Sequence, residues 1–293
     1  MSKKGLVLEG GGLRGIYTSG IIDEMMTQGL VGFDGIVGVS AGACFGVNMK
    51  SNQKGRALRY NLQMAGNPEY MSVRSFLKTG NYINAEFCYH VVPTKIDVFD
   101  GEAFAKNPME FHLVCTDCAD GKPVYHQIDH VDYEVLEWIR ASASLPMVCQ
   151  PVPLHGKLML DGGLSDSIPL KYFQSQGYDR NIVILTRPLD YRKTPLSHAW
   201  FVKLMLRKYP AIYDCMQRRH EMYNAQMEYV ISEAKKGNTL VIAPEEPLQI
   251  GRVEMKPEKL NLMHRLGREA CLKHLDEIRE FMAGDHIALP YFE

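Results

Sequence analysis

Gly38, Val39, Ser40, Ala41 and Gly42 form a Gly-x-Ser-x-Gly pentapeptide, an arrangement that exposes a serine as a nucleophile when it lies between a strand and a helix. Glycine on either side removes the Cβ atoms that would clash in so sharp a turn. The flanks fit that setting. Phe33 to Val39 is a short apolar run bounded by glycine, as in a buried parallel strand. Ala41 to Lys50 reads as a buried helix whose N-terminus points at whatever Ser40 attacks. A second glycine run, Gly10, Gly11, Gly12, Leu13, Arg14, Gly15, follows an apolar strand predicted over Gly5 to Glu9 and opens a helix predicted over Leu13 to Gln28. Its amides could cradle the pyrophosphate of a dinucleotide, or form an oxyanion hole for a carbonyl oxygen that turns negative. The next strand favours the second reading. A dinucleotide site wants an acidic residue at that strand's far end; Ser40 stands there, and Asp34 lies at the beginning. Adjacent parallel strands would bring the Gly11 and Gly12 amides beside the Ser40 hydroxyl, with the amides of Gly10 and Ala41 as further donors, a constellation suited to acyl transfer.

Serine is a poor nucleophile at neutral pH without a neighbouring base. Asp161, in Asp161-Gly162-Gly163, is the candidate, because it ends a strand predicted over Lys157 to Leu160 and two glycines let the chain turn tightly after it. Asp-Gly is also an ordinary turn signal. The alternative is a Ser-Asp-His triad with His286 as its histidine, but an α/β-hydrolase serine normally follows several strands and Ser40 follows one. Arg14 would orient the glycine loop or attract an anionic head group, or else pair with a nearby carboxylate.

In this order and setting, Gly-Gly-Gly-x-Arg-Gly at 10–15, Gly-x-Ser-x-Gly at 38–42 and Asp-Gly-Gly at 161–163 resemble the patatin-like phospholipase family. The stretch Ala141, Ser142, Ala143, Ser144, Leu145, Pro146 ahead of Pro151 and Val152 is similar to that family's approach to its aspartate. The resemblance covers residues 5–190. It implies a three-layer α/β/α fold with a mostly parallel central sheet and a Ser40–Asp161 dyad that needs no histidine, metal or cofactor. It also implies oxyanion donors in the loop from Gly10 to Gly15, with Gly38, Gly42, Gly162 and Gly163 supporting the turns. The activity implied is hydrolysis of lipid acyl esters, of phospholipase A or lysophospholipase type. The same residues would serve an esterase or thioesterase on small acyl substrates. A phosphate- or lipid-binding module in which Ser40 is never acylated is the reading from another class.

The rest of the chain frames these residues. With 293 residues, 46% of them hydrophobic, it can bury a large α/β core, and a net charge of -1 gives no reason to expect nucleic acid. Seven cysteines at irregular spacing argue for a reducing compartment rather than a disulfide framework. Cys115 and Cys118 read as packing or free thiols rather than half a zinc site, Cys44 reads as core, and the ten histidines show no metal-ligand spacing. Met1 to Lys4 is basic with no apolar stretch behind it long enough for a signal peptide, and no window approaches the roughly 20 apolar residues of a membrane span, so a soluble cytoplasmic protein is expected. Peripheral membrane contact stays open.

Phe111 to Cys115 and Lys122 to Ile128 flank a turn at Ala119-Asp120-Gly121 and predict a hairpin. Tyr133 to Ser142 reads as a helix, His155-Gly156 as a turn and Asn181 to Thr186 as a strand. After Pro188 the character changes to long helical patterns, Leu196 to Lys236 and Lys256 to Ala283, enclosing a strand from Thr239 to Ala243. The expected division is a catalytic domain over 5–190 and a C-terminal helical extension over 191–293 packed on it. Trp200, Phe201, Leu204, Met205 and Leu206, set among Lys203, Arg207 and Lys208 with Arg218 and Arg219 further on, read first as a helix packing its apolar face on the core. The second reading is a basic amphipathic helix resting on an anionic membrane.

Overall fold

A computed structural model describes residues 3–284, so His286 lies outside the described residues. The first strand, β1 (Lys4–Leu8), passes through the glycine loop and one 3-10 turn into α1 (Gly15–Thr27), and β2 (Gly35–Val39) runs directly into α2 (Ala41–Lys50). Both strand-loop-helix units fall where they were predicted. The segment to the next strand, which the sequence reading left without elements, holds α3 (Arg56–Gln63), α4 (Val73–Thr79), a π-helical stretch (Phe87–Ile96) and α5 (Gly101–Lys106). The three α-helices have eight residues or fewer, too short for a helical period to stand out.

The predicted hairpin is β3 (Glu110–Asp117) with β4 (Pro123–Ile128). Next comes α6 (Tyr133–Ser142), whose N-cap Asp132 accepts the Val135 amide at 2.8 Å. A short β5 (Val152–Leu154) turns through His155 and Gly156, both at positive φ, into β6 (Lys157–Asp161). The chain ends with α7 (Leu170–Ser175), β7 (Arg180–Ile184), α8 (Ala199–Met205), α9 (Pro210–Lys235), β8 (Thr239–Ile242), α10 (Pro257–Lys273) and α11 (Leu275–Ala283).

Among the described residues, eight strands form one mixed sheet. Its parallel part runs β3-β2-β1-β7-β8, and β4, β6 and β5 join antiparallel beyond β3. Leu6, Leu8, Ile36, Val37, Phe111, Leu113, Ile182 and Ile184 are fully buried, as parallel strands covered on both faces require. Gly42 and Gly46 of α2 press on Leu8 from one face, and Phe173 of α7 fills the space beside Gly5 on the other. Helices on both faces make the α/β/α arrangement that the resemblance implies.

Each long C-terminal helical stretch is two helices rather than one. Pro210 lacks the amide to continue α8 and begins α9 instead, while the second stretch breaks at His274. The preferred reading of the Trp200 segment is corrected too: Val202 and Leu206 are buried, but Trp200 is 72% exposed and Leu204 57%, with Phe201 and Met205 also exposed. A helix of about two turns has room to bury only one of its faces, and here the aromatic face is outside. Among the described residues no helix is long and apolar enough to cross a membrane.

The C-terminal region is joined to the core in two ways. Strand β8 lengthens the sheet beside β7, with Ile182 opposite Leu240. Helix α10 crosses α1 so closely that a Cβ on Gly267 would stand 2.0 Å from the Tyr17 carbonyl oxygen, and one on Gly20 would stand 2.1 Å from that of His264. Backbone touches backbone there, so Gly267→Ala must push the helices apart. We expect it to lower the unfolding free energy by about 1–3 kcal/mol in urea denaturation; an unchanged midpoint would show that the crossing is looser than described.

Candidate active site

One register brings the two candidate catalytic side chains together. Strand β4 takes one edge of β3 from Phe111 to Thr116, and two strands share the other edge. Parallel β2 occupies it as far as Val39 opposite Val114, and antiparallel β6 runs in from Met159 opposite Asp117 to Asp161 opposite Cys115. The two strands therefore approach head to head and end on adjacent residues of β3. Ser40 follows the end of one, and Asp161 is the end of the other.

Ser40 Oγ donates to Asp161 Oδ2 at 2.7 Å, and the residues are only 7% and 1% exposed. The second carboxylate oxygen accepts the Gly163 amide at 2.8 Å. Ser40 has φ 55° and ψ -119°, a strained conformation for a side-chain-bearing residue, and it turns the strand abruptly into α2. A side chain from α6 holds it there: the Ser40 amide donates to Ser142 Oγ at 3.0 Å, and the Ser142 hydroxyl donates to the Val114 carbonyl at 2.7 Å. The Asp161 backbone is equally tied, its amide to the Ser144 carbonyl and its carbonyl to the Thr116 hydroxyl, each at 2.9 Å. Ser142 and Ser144 thus clamp the nucleophile and the aspartate from one short segment. Sequence reasoning had noticed that segment only as a likeness.

The glycine loop lies against this pair. A Cβ on Gly10 would come within 2.9 Å of Ser40 Cβ, so the loop can approach only without a side chain at that position. Neither the Gly10 nor the Gly11 amide has a hydrogen-bond partner among the described residues. Gly12 sits at φ 58°, and the next amide, that of Leu13, donates to the Arg252 carbonyl at 3.0 Å. Gly15 opens α1 against Ala41, Gly38 is the penultimate residue of β2 and lies against the Ala43 amide, Gly42 rests on the Leu8 carbonyl, and Gly162 on that of Val114. Every position in the sequence-derived set except His286 therefore belongs to one neighbourhood.

Burial pushes the Asp161 carboxyl above the usual carboxylate range, while Arg219, the Ser40 hydrogen bond and the Gly163 amide work in the other direction. The Arg219 Nε–H, from α9, also donates to the Gly163 carbonyl at 2.6 Å, so a single residue, Gly163, links Arg219 to Asp161.

The pocket that holds Ser40 and Asp161 is also lined by Arg14, Arg187, Lys193, Arg219 and Arg252. Of these, only Arg14 is assigned to the site from sequence, because the others are scattered along the chain with no spacing that signals a site. Arg14 is 7% exposed, its Nε has no hydrogen-bond partner, and it forms no ion pair among the described residues, so its pairing with a carboxylate is excluded there. The neighbouring Glu9 is occupied by neutral donors: the Thr186 amide at 2.6 Å and the Tyr223 hydroxyl at 2.9 Å. Arg187 lies over the Tyr191 ring and Lys193 over that of Tyr223.

Residues 6–173 match the family described as patatin-like phospholipase. That span covers more than half of the chain and contains all three motifs. This chain belongs to the patatin-like phospholipase family. A second match, to a domain of unknown function (DUF6363), takes in residues 209–283, from the start of α9 to the end of α11. Among family relatives, the uncharacterized protein YjjU of Escherichia coli is 29% identical over 271 residues, 90% of this chain and 74% of that protein. Lysophospholipase nte1 of Aspergillus oryzae is 27% identical over 180 residues, which is 60% of this chain but 11% of the fungal protein. The solved structure of VipD from Legionella pneumophila superposes with a TM-score of 0.48 at 12% identity, over 94% of this chain and 67% of that one.

The clamp on the nucleophile is testable apart from catalysis. Ser142→Ala would leave the buried Ser40 amide and Val114 carbonyl without their shared partner, and we expect a loss of about 1–3 kcal/mol in chemical denaturation. Wild-type stability in that variant would mean that the serine does not hold the turn.

Proposed function

We propose that this chain is a serine acyl hydrolase acting on lipid esters, with Ser40 as nucleophile and Asp161 as its base. The observation that carries the reading is the 2.7 Å hydrogen bond from the Ser40 hydroxyl to a buried carboxylate, at a strained turn beside two unpartnered glycine amides. Asp161 takes the hydroxyl proton as Ser40 Oγ bonds to the ester carbonyl carbon, and the carbonyl oxygen becomes an oxyanion. The amides of Gly10, Gly11, Gly12 and Ala41 are the donors that would meet that oxygen, and loss of one such donor typically costs about 3 kcal/mol of transition-state stabilisation. Collapse of the adduct expels the alcohol, which receives the proton from Asp161. Water, deprotonated by the same carboxylate, then attacks the acyl-serine and releases the fatty acid. Family membership and the name of the fungal relative support a lipid acyl ester as the substrate.

A fluorophosphonate probe should label the wild-type protein on Ser40. Ser40→Ala should abolish both labelling and hydrolysis of a short-chain nitrophenyl ester, and Asp161→Asn should reduce hydrolysis by about 100-fold or more. Labelling that persists in Ser40→Ala would sink the nucleophile, and full hydrolysis in Asp161→Asn would sink the dyad.

The base must be ionised, and its pKa is raised by burial, so activity is present above that pKa and is lost as pH falls through it. The acid limb of kcat/KM should therefore lie above the ordinary carboxylate value of about 4. Removing the cation that opposes the shift, in Arg219→Gln, should move the limb to higher pH; an unmoved limb would mean that another group controls it.

The exposed Trp200, Phe201, Leu204 and Met205, close in sequence to Lys203, Arg207 and Lys208, suit contact with an anionic lipid surface. Wild-type protein should pellet with anionic vesicles at low salt, and Trp200→Ala should pellet less; absence of pelleting at low and high salt alike would remove membrane contact from the proposal.

A further inference from the structure

Five cations, Arg14, Arg187, Lys193, Arg219 and Arg252, line one pocket with Ser40, and two carboxylates, Glu9 and Asp161, face them. Both carboxylates offset part of this charge, but neither forms an ion pair with the group. Glu9 accepts hydrogen bonds from Thr186 and Tyr223, and Asp161 is held by Ser40 and the Gly163 amide. Among the described residues none of the five cations forms an ion pair, although elsewhere buried cations do: Arg56 reaches Asp97 at 3.2 Å. Like charges gathered in a low-dielectric pocket repel one another, and the repulsion has effects within the cluster. Burial together with Arg219 and Arg252 brings Lys193 down to about 7, and burial together with Arg187 and Arg252 brings Arg14 down to about 10. Such a group is unfavourable by itself and becomes favourable when an anion enters it.

Two features describe that anion. Arg14 is more than nine-tenths buried, lines the pocket and carries an Nε without a hydrogen-bond partner among the described residues, so its charge lies inside the protein rather than at the rim. The cavity is small, about 30 Å³, which suits a compact anion better than a bulky head group. Because Ser40 lines the same cavity, the anion must lie close to the scissile ester.

We propose that this cluster is a binding site for a terminal phosphate on the alcohol part of the substrate, so that the preferred esters are acyl glycerol phosphomonoesters rather than zwitterionic choline lipids. The proposal rests on Ser40 being the nucleophile. A phosphomonoester brings up to two negative charges and several acceptor oxygens to a site built of guanidinium and ammonium donors. A choline head group would set a permanent cation against four guanidinium groups and a partly protonated Lys193. Lys193, Arg219 and Arg252 lie beyond the matched patatin-like span, as does Arg187, so four of the five charges that would set this preference come from the C-terminal part of the chain.

The test uses the intact protein and two independent measurements. Inorganic phosphate and glycerol 3-phosphate, titrated calorimetrically at fixed ionic strength, should bind saturably, and Arg252→Gln and Lys193→Gln should each weaken binding about tenfold. Arg252 is exposed, so its replacement leaves the fold in place. Succinate at the same concentrations should bind much more weakly; equal binding would replace phosphate by carboxylate and overturn the assignment. With acyl chains matched, kcat/KM for a glycerol phosphomonoester should exceed that for the phosphocholine ester by about tenfold or more, and the ratio should fall in Arg252→Gln. Equal rates, or no saturable phosphate binding up to about 10 mM in protein whose Ser40 still reacts with fluorophosphonate, would overturn the proposal while leaving the nucleophile intact. Phosphate binding without fluorophosphonate labelling would instead support the anion site and remove the hydrolase beneath it.

Discussion

The edge of β3 between Val114 and Cys115 is where the structure around the site is decided. A strand has two edges, and β4 uses one of them completely, so β2 and β6 must divide the other and end face to face. Everything local follows from that meeting. Val39 is the last paired residue of β2, so the chain has to leave the sheet at Ser40, and it leaves through a positive-φ turn because β6 stands directly ahead. Asp161 is the last paired residue of β6, so its carboxylate reaches the same gap, and Ser142 and Ser144 tie both backbones to the end of α6. A slip of one residue in either ladder would turn Ser40 or Asp161 to the opposite face of the sheet.

The meeting of strands also explains why the site can hold a buried carboxylate. Desolvation works against the ionised form, but a hydroxyl, an amide and the field of Arg219 each work for it. The third of these comes from α9, outside the strands that make the pair. The α/β part of the chain builds the nucleophile and its base, and the C-terminal part supplies most of the charge around them. Helix α10 against α1 and β8 against β7 join those two parts over an extended interface, so the charge is held in place by ordinary packing rather than by a flexible tail.

The sequence reading and the folded chain agree best where local chemistry is demanding. The glycine run at 10–15, the serine pentapeptide and the Asp-Gly-Gly turn announced themselves because close approach and sharp turning tolerate few residue types. The short helices between α2 and β3 did not, since six to eight residues carry too little periodicity, and the breaks at Pro210 and His274 were hidden inside longer helical patterns. The Trp200 segment was misjudged for a related reason: amphipathic spacing shows that a helix has an apolar face, and it does not show whether anything covers that face.

Residue types and their spacing along the chain were enough to identify the family, the α/β alternation, and Ser40 with Asp161 as the pair to examine, because each depends on a short stretch whose chemistry is local. The five-cation pocket depended on the fold. Arg14, Arg187, Lys193, Arg219 and Arg252 span most of the chain, and as isolated basic residues each is indistinguishable from a solvated surface charge. Only the packing of α9 and the loops around residues 193 and 252 over the ends of β1 and β2 withdraws Arg14, Lys193 and Arg219 from water, brings the like charges together and, among the described residues, leaves them without ion-pair partners, and that is a property of distances in space rather than of order along the chain.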